Sequence, residues 1–261
     1  MWIKNLPLKY KECTSFTSHV VFLWKDDKLP IYISDNHLTA AWCWLQECEP
    51  NERYNFIHID QHADLSDKGE PEIIEKIKLN PKISLEDFLN FKYNNGCVHQ
   101  FFQWDNFIRA IHYLFPNWFQ TNLFYVHEDL DEQMDGQRTD WGYSPFPFHK
   151  RDVAKVREEF TQLIESKISV HGCAVDTRKY SWIVSLDLDF FWDENLDKIY
   201  DDGFIRDFAR RMNSAMQKNI KVLTIALSPD CVGGNGMNEK WDNVINVLNI
   251  FKKEFSLSIN L

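Results

Sequence analysis

Two stretches of the chain carry side chains able to hold metal ions. The first is Asn55-Phe-Ile-His-Ile-Asp-Gln-His-Ala-Asp64 and the second is Trp182-Ile-Val-Ser-Leu-Asp-Leu-Asp-Phe-Phe191. Each opens as a short apolar run, the pattern of a strand buried in a parallel sheet. Each ends in oxygen or nitrogen donors at alternate positions: Asp60, His62 and Asp64 in one, Asp187 and Asp189 in the other. Residues two apart on an extended backbone point to the same side, so each strand is expected to deliver its donors to one face of its carboxyl end. In open parallel sheets that edge is where sites form. A purely structural reading competes. Aspartates at strand ends often cap the next helix, and a lone histidine on an apolar strand is usually a core residue. Two buried strands ending in acids weigh against it, because unpartnered buried carboxylates are costly.

The donor inventory sets the chemistry. Asp60, Asp64, Asp187 and Asp189 in one pocket would repel one another and raise each other's pKa unless cations were present. His37 precedes Asp60 by 23 residues, room for one helix and a turn, and is the candidate to complete the set. Two histidines with four aspartates form an oxygen-rich set that favours Mn²⁺, Fe²⁺ or Mg²⁺ over structural zinc. Two such ions, roughly 3.5–4 Å apart, can share a water and hold it as hydroxide. A hydroxide attacking a trigonal carbon makes hydrolysis the expected reaction. A guanidinium substrate would suit the site, because its charge offsets that of the hydroxide.

The elements that must position these groups alternate between strand and helix. A hairpin is expected from His19–Trp24 and Leu29–Ser34, then a helix over Leu38–Cys48 that Asp35 or Asn36 could cap. Ser66–Asn80 reads as a surface loop and helix, and Ser84–Phe91 as a short helix. Asn94–His99 reads as a turn opening a long aromatic helix to Leu114, with His99 placed to lean over the site or to be buried at the helix start. Further strands are expected at Asn122–His127 and Lys221–Ser228, and helices at Arg151–Lys167, Phe204–Lys218 and Asn238–Glu254. Glu128–Pro147 is irregular and long enough to suggest function. This alternation predicts an α/β fold, a three-layer α/β/α sandwich with a mainly parallel central sheet, as one domain over residues 1–261.

Composition narrows the partners. The 261 residues are 44% hydrophobic with 20 Phe and 10 Trp, too aromatic for a disordered chain. A net charge of −10 with no basic block disfavours nucleic acid and anionic membrane. The six cysteines show no CxxC pairing or dense disulfide spacing, and Cys43 and Cys48 fit buried thiols. No signal-peptide pattern or membrane-length apolar run is present, so a cytoplasmic location is expected.

At the metal motifs the sequence resembles the arginase and ureohydrolase superfamily, whose fold is shared by histone deacetylases. The motifs are Asp35-Asn-His37, with one inserted Asn, then Asp60-Gln-His62-Ala-Asp64 and Ser185-Leu-Asp187-Leu-Asp189. The resemblance implies that His37, Asp60, Asp64 and Asp187 bind one Mn²⁺. It implies that His62, Asp60, Asp187 and Asp189 bind the other, with Asp60 and Asp187 bridging. It covers Ile31 to Pro229 in order and spacing, but is specific only at the motifs.

The departures are informative. Phe190-Phe-Trp-Asp193 replaces the Asp-Pro that follows the last motif in typical arginases, and Ala226 stands where they place a guanidinium-holding Glu. Loops for the α-amino and carboxylate groups of free arginine are not recognisable. In this the chain looks more like the peptide arginases, which convert arginines in ribosomally made precursor peptides to ornithine and urea. The resemblance then implies Asp64 as metal ligand and acceptor for the hydroxide, Asp230 as guanidinium partner, and His99 as proton shuttle. The implied partner is an arginine-containing precursor peptide, and the superfamily often assembles as homo-oligomers. Rival readings are a single-zinc deacetylase or amidohydrolase of the same superfamily, a metal-dependent phosphoesterase, and a non-catalytic protein binding arginine-bearing peptides. The lack of basic phosphate-binding residues near the motifs counts against the phosphoesterase.

Overall fold

Six strands running the same way form the body of one sheet, and their carboxyl ends share one edge. The computed structural model describes residues 1–13, 20–66, 80–94, 98–127, 138–139, 142–143, 149–165, 167–170, 173–176 and 178–261. The main sheet holds β1 (Trp2–Lys4), β2 (Leu23–Lys25), β3 (Ile31–Ser34), β4 (Tyr54–Asp60), β5 (Phe119–Val126), β6 (His149–Lys150), β7 (Trp182–Asp187) and β8 (Ile220–Ala226). Their lateral order is β1-β2-β3-β8-β7-β4-β5-β6. Pairing is antiparallel between β1 and β2 and between β2 and β3, and parallel from β3 across to β6. The expected hairpin is present, with Leu23 opposite Ser34 and Lys25 opposite Tyr32.

The helices are α1 (Ala40–Glu47), α2 (Leu85–Leu89), α3 (Phe107–Leu114), α4 (Val156–Glu165), α5 (Asp202–Asn219) and α6 (Met237–Phe255). They cover both faces of the sheet, and strand alternation decides which residues meet them. Ile57, Ile59, Val184 and Leu186 share one core with Phe208 and Met212 of α5 and Val244 and Phe251 of α6. Tyr54, Phe56, Ile183 and Val222 share the other with Trp44 of α1 and Phe107 and Ile111 of α3. Every residue of β4 and β7 is buried, as a sheet covered on both faces requires. At about 1.5–3 kcal/mol for each large side chain fully withdrawn from water, these two layers supply the main driving force. The three-layer α/β/α architecture expected from the alternation is therefore the observed one.

One expected element is different. Val98–Gln100 is a strand paired with Lys92–Asn94, placing Tyr93 opposite His99, and the helix starts only at Phe107. The Asn106 side chain accepts from the Gln103 N–H at 2.8 Å and donates to the Phe101 carbonyl at 2.8 Å. That short-range bonding holds a turn where aromatic content suggests helix. Lys167–Val170 and Cys173–Asp176 form a second hairpin. Most of the Ser66–Asn80 segment lies outside the described residues. So does Glu128–Pro147, apart from the paired Arg138–Thr139 and Gly142–Tyr143. No described helix is long and apolar enough to cross a membrane.

Register fixes where the site forms. Ala226 of β8 lies opposite Ser34 of β3 on one side and Asp187 of β7 on the other, and Leu186 lies opposite Ile59. Four adjacent strands therefore end at nearly one level. Asp35, just past β3, is fully buried, and its Oδ1 accepts the N–H groups of Val21 at 2.8 Å and Phe22 at 3.1 Å. This tie anchors the run into β2 against the edge that bears the site. Asp35→Ala strands two buried donors at about 1–3 kcal/mol each, which predicts a melting temperature lower by roughly 5–15 °C. Calorimetry showing a fall under about 2 °C would remove that role from Asp35.

Candidate metal centre

Asp60 and Asp187 are the last residues of two neighbouring strands, β4 and β7. His62, Asp64 and Asp189 lie beyond the strand ends, so alternation along an extended backbone does not position them as expected. Local turns do. The His62 N–H donates to Asp60 Oδ1 at 2.8 Å, and the Gln61 N–H reaches across to Asp189 Oδ1 at 3.3 Å. Asp64 then takes a left-handed backbone, φ 51°, a strained choice for a non-glycine that costs about 1–3 kcal/mol. After β7, the Asp189 N–H donates to Asp187 Oδ1 at 3.0 Å and opens the short turn Leu188–Phe191. His37 arrives from β3. Asn36 caps the turn His37–Thr39 by accepting from the Leu38 N–H at 2.9 Å, and it also donates to Asp35 Oδ2 at 3.1 Å.

The six donors expected from the sequence converge. His37 Nδ1 lies 2.9 Å from Asp64 Oδ2, 3.2 Å from Asp60 Oδ2 and 3.4 Å from Asp187 Oδ2. His62 Nδ1 lies 3.5 Å from Asp189 Oδ2 and 3.7 Å from Asp60 Oδ1. All but His62 are buried. Asp60 is shared by three overlapping groups that could each grip a cation: His37–Asp60–Asp187, Asp60–His62–Asp189 and His58–Asp60–Asp64. The same pocket is lined by Asn36, Trp104, Ser228, Asp230 and Cys231.

Three of these were not singled out by the sequence. His58 continues the alternation of Asp60, His62 and Asp64 one step upstream, which is a readable signal. Trp104 and Cys231 carry none. Asp230, the expected guanidinium partner, does line the pocket, in the turn Pro229–Cys231. His99 lies on the strand Val98–Gln100 rather than at a helix start, and its side chain falls outside the described part of the structure.

The electrostatics follow from burial. Burial and then the neighbouring Asp189 carboxylate push Asp187 up to about 7. Burial, then Asp189, Asp64 and Asp187, push Asp60 well above the usual carboxylate range. Burial disfavours the His37 cation, but Asp187, Asp64 and Asp60 together outweigh it and hold His37 up to about 10. Burial, then the charge of His37, drives His58 well below the ordinary histidine value. Burial and the surrounding carboxylates raise Cys231, which keeps its thiol protonated and a poor ligand for a hard cation.

This donor set fits divalent cations. Asp60 Oδ2 is buried and accepts no hydrogen bond from the described residues, although it faces the centre of the cluster. An acceptor in that state is what a cation would satisfy. The chain is thus an α/β protein with a buried carboxylate and imidazole cluster compatible with divalent metal binding.

No protein-family model matches the chain, and no curated protein matches it in sequence. Among solved structures it is similar to an arginase from Helicobacter pylori, with a TM-score of 0.46 and 11% identity over 89% of this chain and 74% of the other. The reading of the site rests on its own side chains.

Cation binding must displace protons here, which gives it a pH dependence. Asp187 and His37 both titrate higher in the fold than in an unfolded chain, so without metal the folded state binds the extra protons and loses stability as pH rises from about 4 to about 10. A bound cation reverses that trend. Added Mn²⁺ is expected to raise the melting temperature more at about pH 8 than at about pH 5.5. An increment equal at both, or larger in acid, contradicts the displacement.

Proposed function

We propose that this chain is a binuclear metal-dependent hydrolase that cleaves the guanidinium group of arginine residues within a peptide, giving ornithine and urea. The observation that carries this reading is the convergence of His37, Asp60, His62, Asp64, Asp187 and Asp189, from three distant segments, on one pocket. When bound, a pair of divalent ions supplies countercharge to the carboxylates and makes a water more acidic. The six nitrogen and oxygen donors suit Mn²⁺.

The remaining steps belong to the chain's residues. Asp60 and Asp187, at the centre of the cluster, bridge the two halves of the donor set. Asp64 accepts the proton of the attacking water. The water oxygen bonds to the guanidinium carbon, the bond from that carbon to the side-chain nitrogen breaks, and the nitrogen leaves with the proton as the ornithine amine. Asp230, in the wall of the pocket, offers a carboxylate to the guanidinium. Trp104 offers it an aromatic face in the same wall. His99 is assigned as the relay of protons to solvent. A peptide substrate is supported by the resemblance of the motifs to those of the peptide arginases, loops that would clamp both termini of a free amino acid not being recognisable in the sequence.

Incubating the protein and Mn²⁺ with arginine-containing peptides should release urea and lighten each converted residue by about 42 Da, the stoichiometric loss of the amidine unit. Asp187→Ala should lower the rate by more than ~100-fold, since even groups that only support metal ligands are worth 10–100-fold. Retained activity in that variant would sink the metal assignment. Urea from free arginine but never from peptides would overturn the substrate and keep the reaction. One zinc per chain with deacetylation of acetyl-lysine would overturn both.

A further inference from the structure

His58 is the one histidine of the cluster with no part in the chemistry proposed above. Its ring is buried among aromatics, with centroids 5.3 Å from Phe124, 6.2 Å from Phe56 and 6.2 Å from Phe107, and 5.7 Å from His37. Nε2 lies 3.2 Å from the His62 carbonyl oxygen and 3.3 Å from Asp60 Oδ2. Nδ1 is buried and has no hydrogen-bond partner among the described residues.

The two neutral tautomers are not equivalent in these surroundings. With its proton on Nδ1, the ring would bury an unsatisfied donor and aim the Nε2 lone pair at two oxygens. With its proton on Nε2, it donates to the His62 carbonyl and leaves only a weak acceptor against hydrocarbon. The second arrangement wins. A protonated Nε2 has no lone pair for a cation, so proximity to Asp60 and Asp64 does not make His58 a ligand.

We propose that His58 is a positioning residue whose Nε2–H, by holding the His62 carbonyl, fixes the chain reversal that aims His62 and Asp64 at the metal centre. The reversal needs such a tie. β4 has already ended at Asp60, and Asp64 must adopt a left-handed backbone two residues beyond His62. Without the bond, the segment is free to relax toward an ordinary backbone, carrying both donors off their aim. Histidine suits the task because its flat ring fills an aromatic slot while a single N–H reaches the carbonyl.

This proposal rests on the metal-centre reading, and the test separates the two. Mn²⁺ is titrated calorimetrically into metal-free wild type, His58→Phe and His58→Gln, with melting curves in chelator as a folding control. His58→Phe keeps the ring volume but loses the donor, and is expected to bind two ions with affinity lower by roughly 10–100-fold. His58→Gln places an N–H near the original Nε2 and should recover most of that loss. Wild type that takes up no Mn²⁺ overturns the metal reading and the proposal together. Two ions bound by wild type and by His58→Phe with equal affinity overturn the proposal alone. Loss of one ion in both variants would make His58 a ligand, which also overturns it. Should His58→Phe fail to fold, long-range nitrogen–proton NMR of metal-free wild type decides: the proton is expected on Nε2, and a proton on Nδ1 contradicts the proposal.

Discussion

The carboxyl groups of Asp60, Asp64, Asp187 and Asp189 are withdrawn from water into one pocket, and like charges at that range cannot all ionise unless positive charge joins them. In the metal-free chain protons fill that need, which is why burial and mutual repulsion raise Asp60 and Asp187 while the same carboxylates hold His37 in its charged form. The arrangement is poor as a purely structural device. Hydrophobic residues of similar volume would fill the space without the desolvation cost. It is well matched to divalent cations, which can satisfy Asp60 Oδ2 and balance the cluster at neutral pH.

The fold exists around that cluster in a specific sense. Parallel pairing of β3, β8, β7 and β4 sets Ser34, Ala226 and Asp187 side by side, with Leu186 against Ile59. The aromatic-rich layers above and below lock the strands, and the strands bring four turns to one edge. Three of them use a side chain to bond their own backbone: Asn36 to Leu38, Asp60 to His62 and Asp187 to Asp189. Ser228, in a left-handed conformation after β8, closes the fourth turn with a hydroxyl that donates to Asp187. Rigid strands thus set the coarse position of the donors, and short-range hydrogen bonds set their aim.

The sandwich and the strand-end acids Asp60 and Asp187 were legible because both rest on local patterns. Tyr54–Asp60 and Trp182–Asp187 are apolar runs ending in acids, and α5 and α6 show helical periodicity over long stretches. What was not legible depends on contacts distant in sequence or on side chains bonding the backbone. Alternation explains Asp60 and Asp187, but His62, Asp64 and Asp189 reach the pocket through turns that a strand pattern does not show. His58 continues the alternation in sequence, but its bond to the His62 carbonyl shows only once that carbonyl is placed beside it. The stretch from Gln100 to Asn106 has the aromatic content of a helix, but Asn106 bonds it into a turn. Trp104 and Cys231 enter the pocket only through the folded chain path.

The central claim is that this pocket holds a pair of cations between Asp60 and Asp187. Anomalous diffraction from Mn²⁺-loaded crystals tests it most directly. The account predicts two peaks roughly 3.5–4 Å apart, each within bonding distance of both carboxylates. A single peak, or none at the cluster, would contradict it.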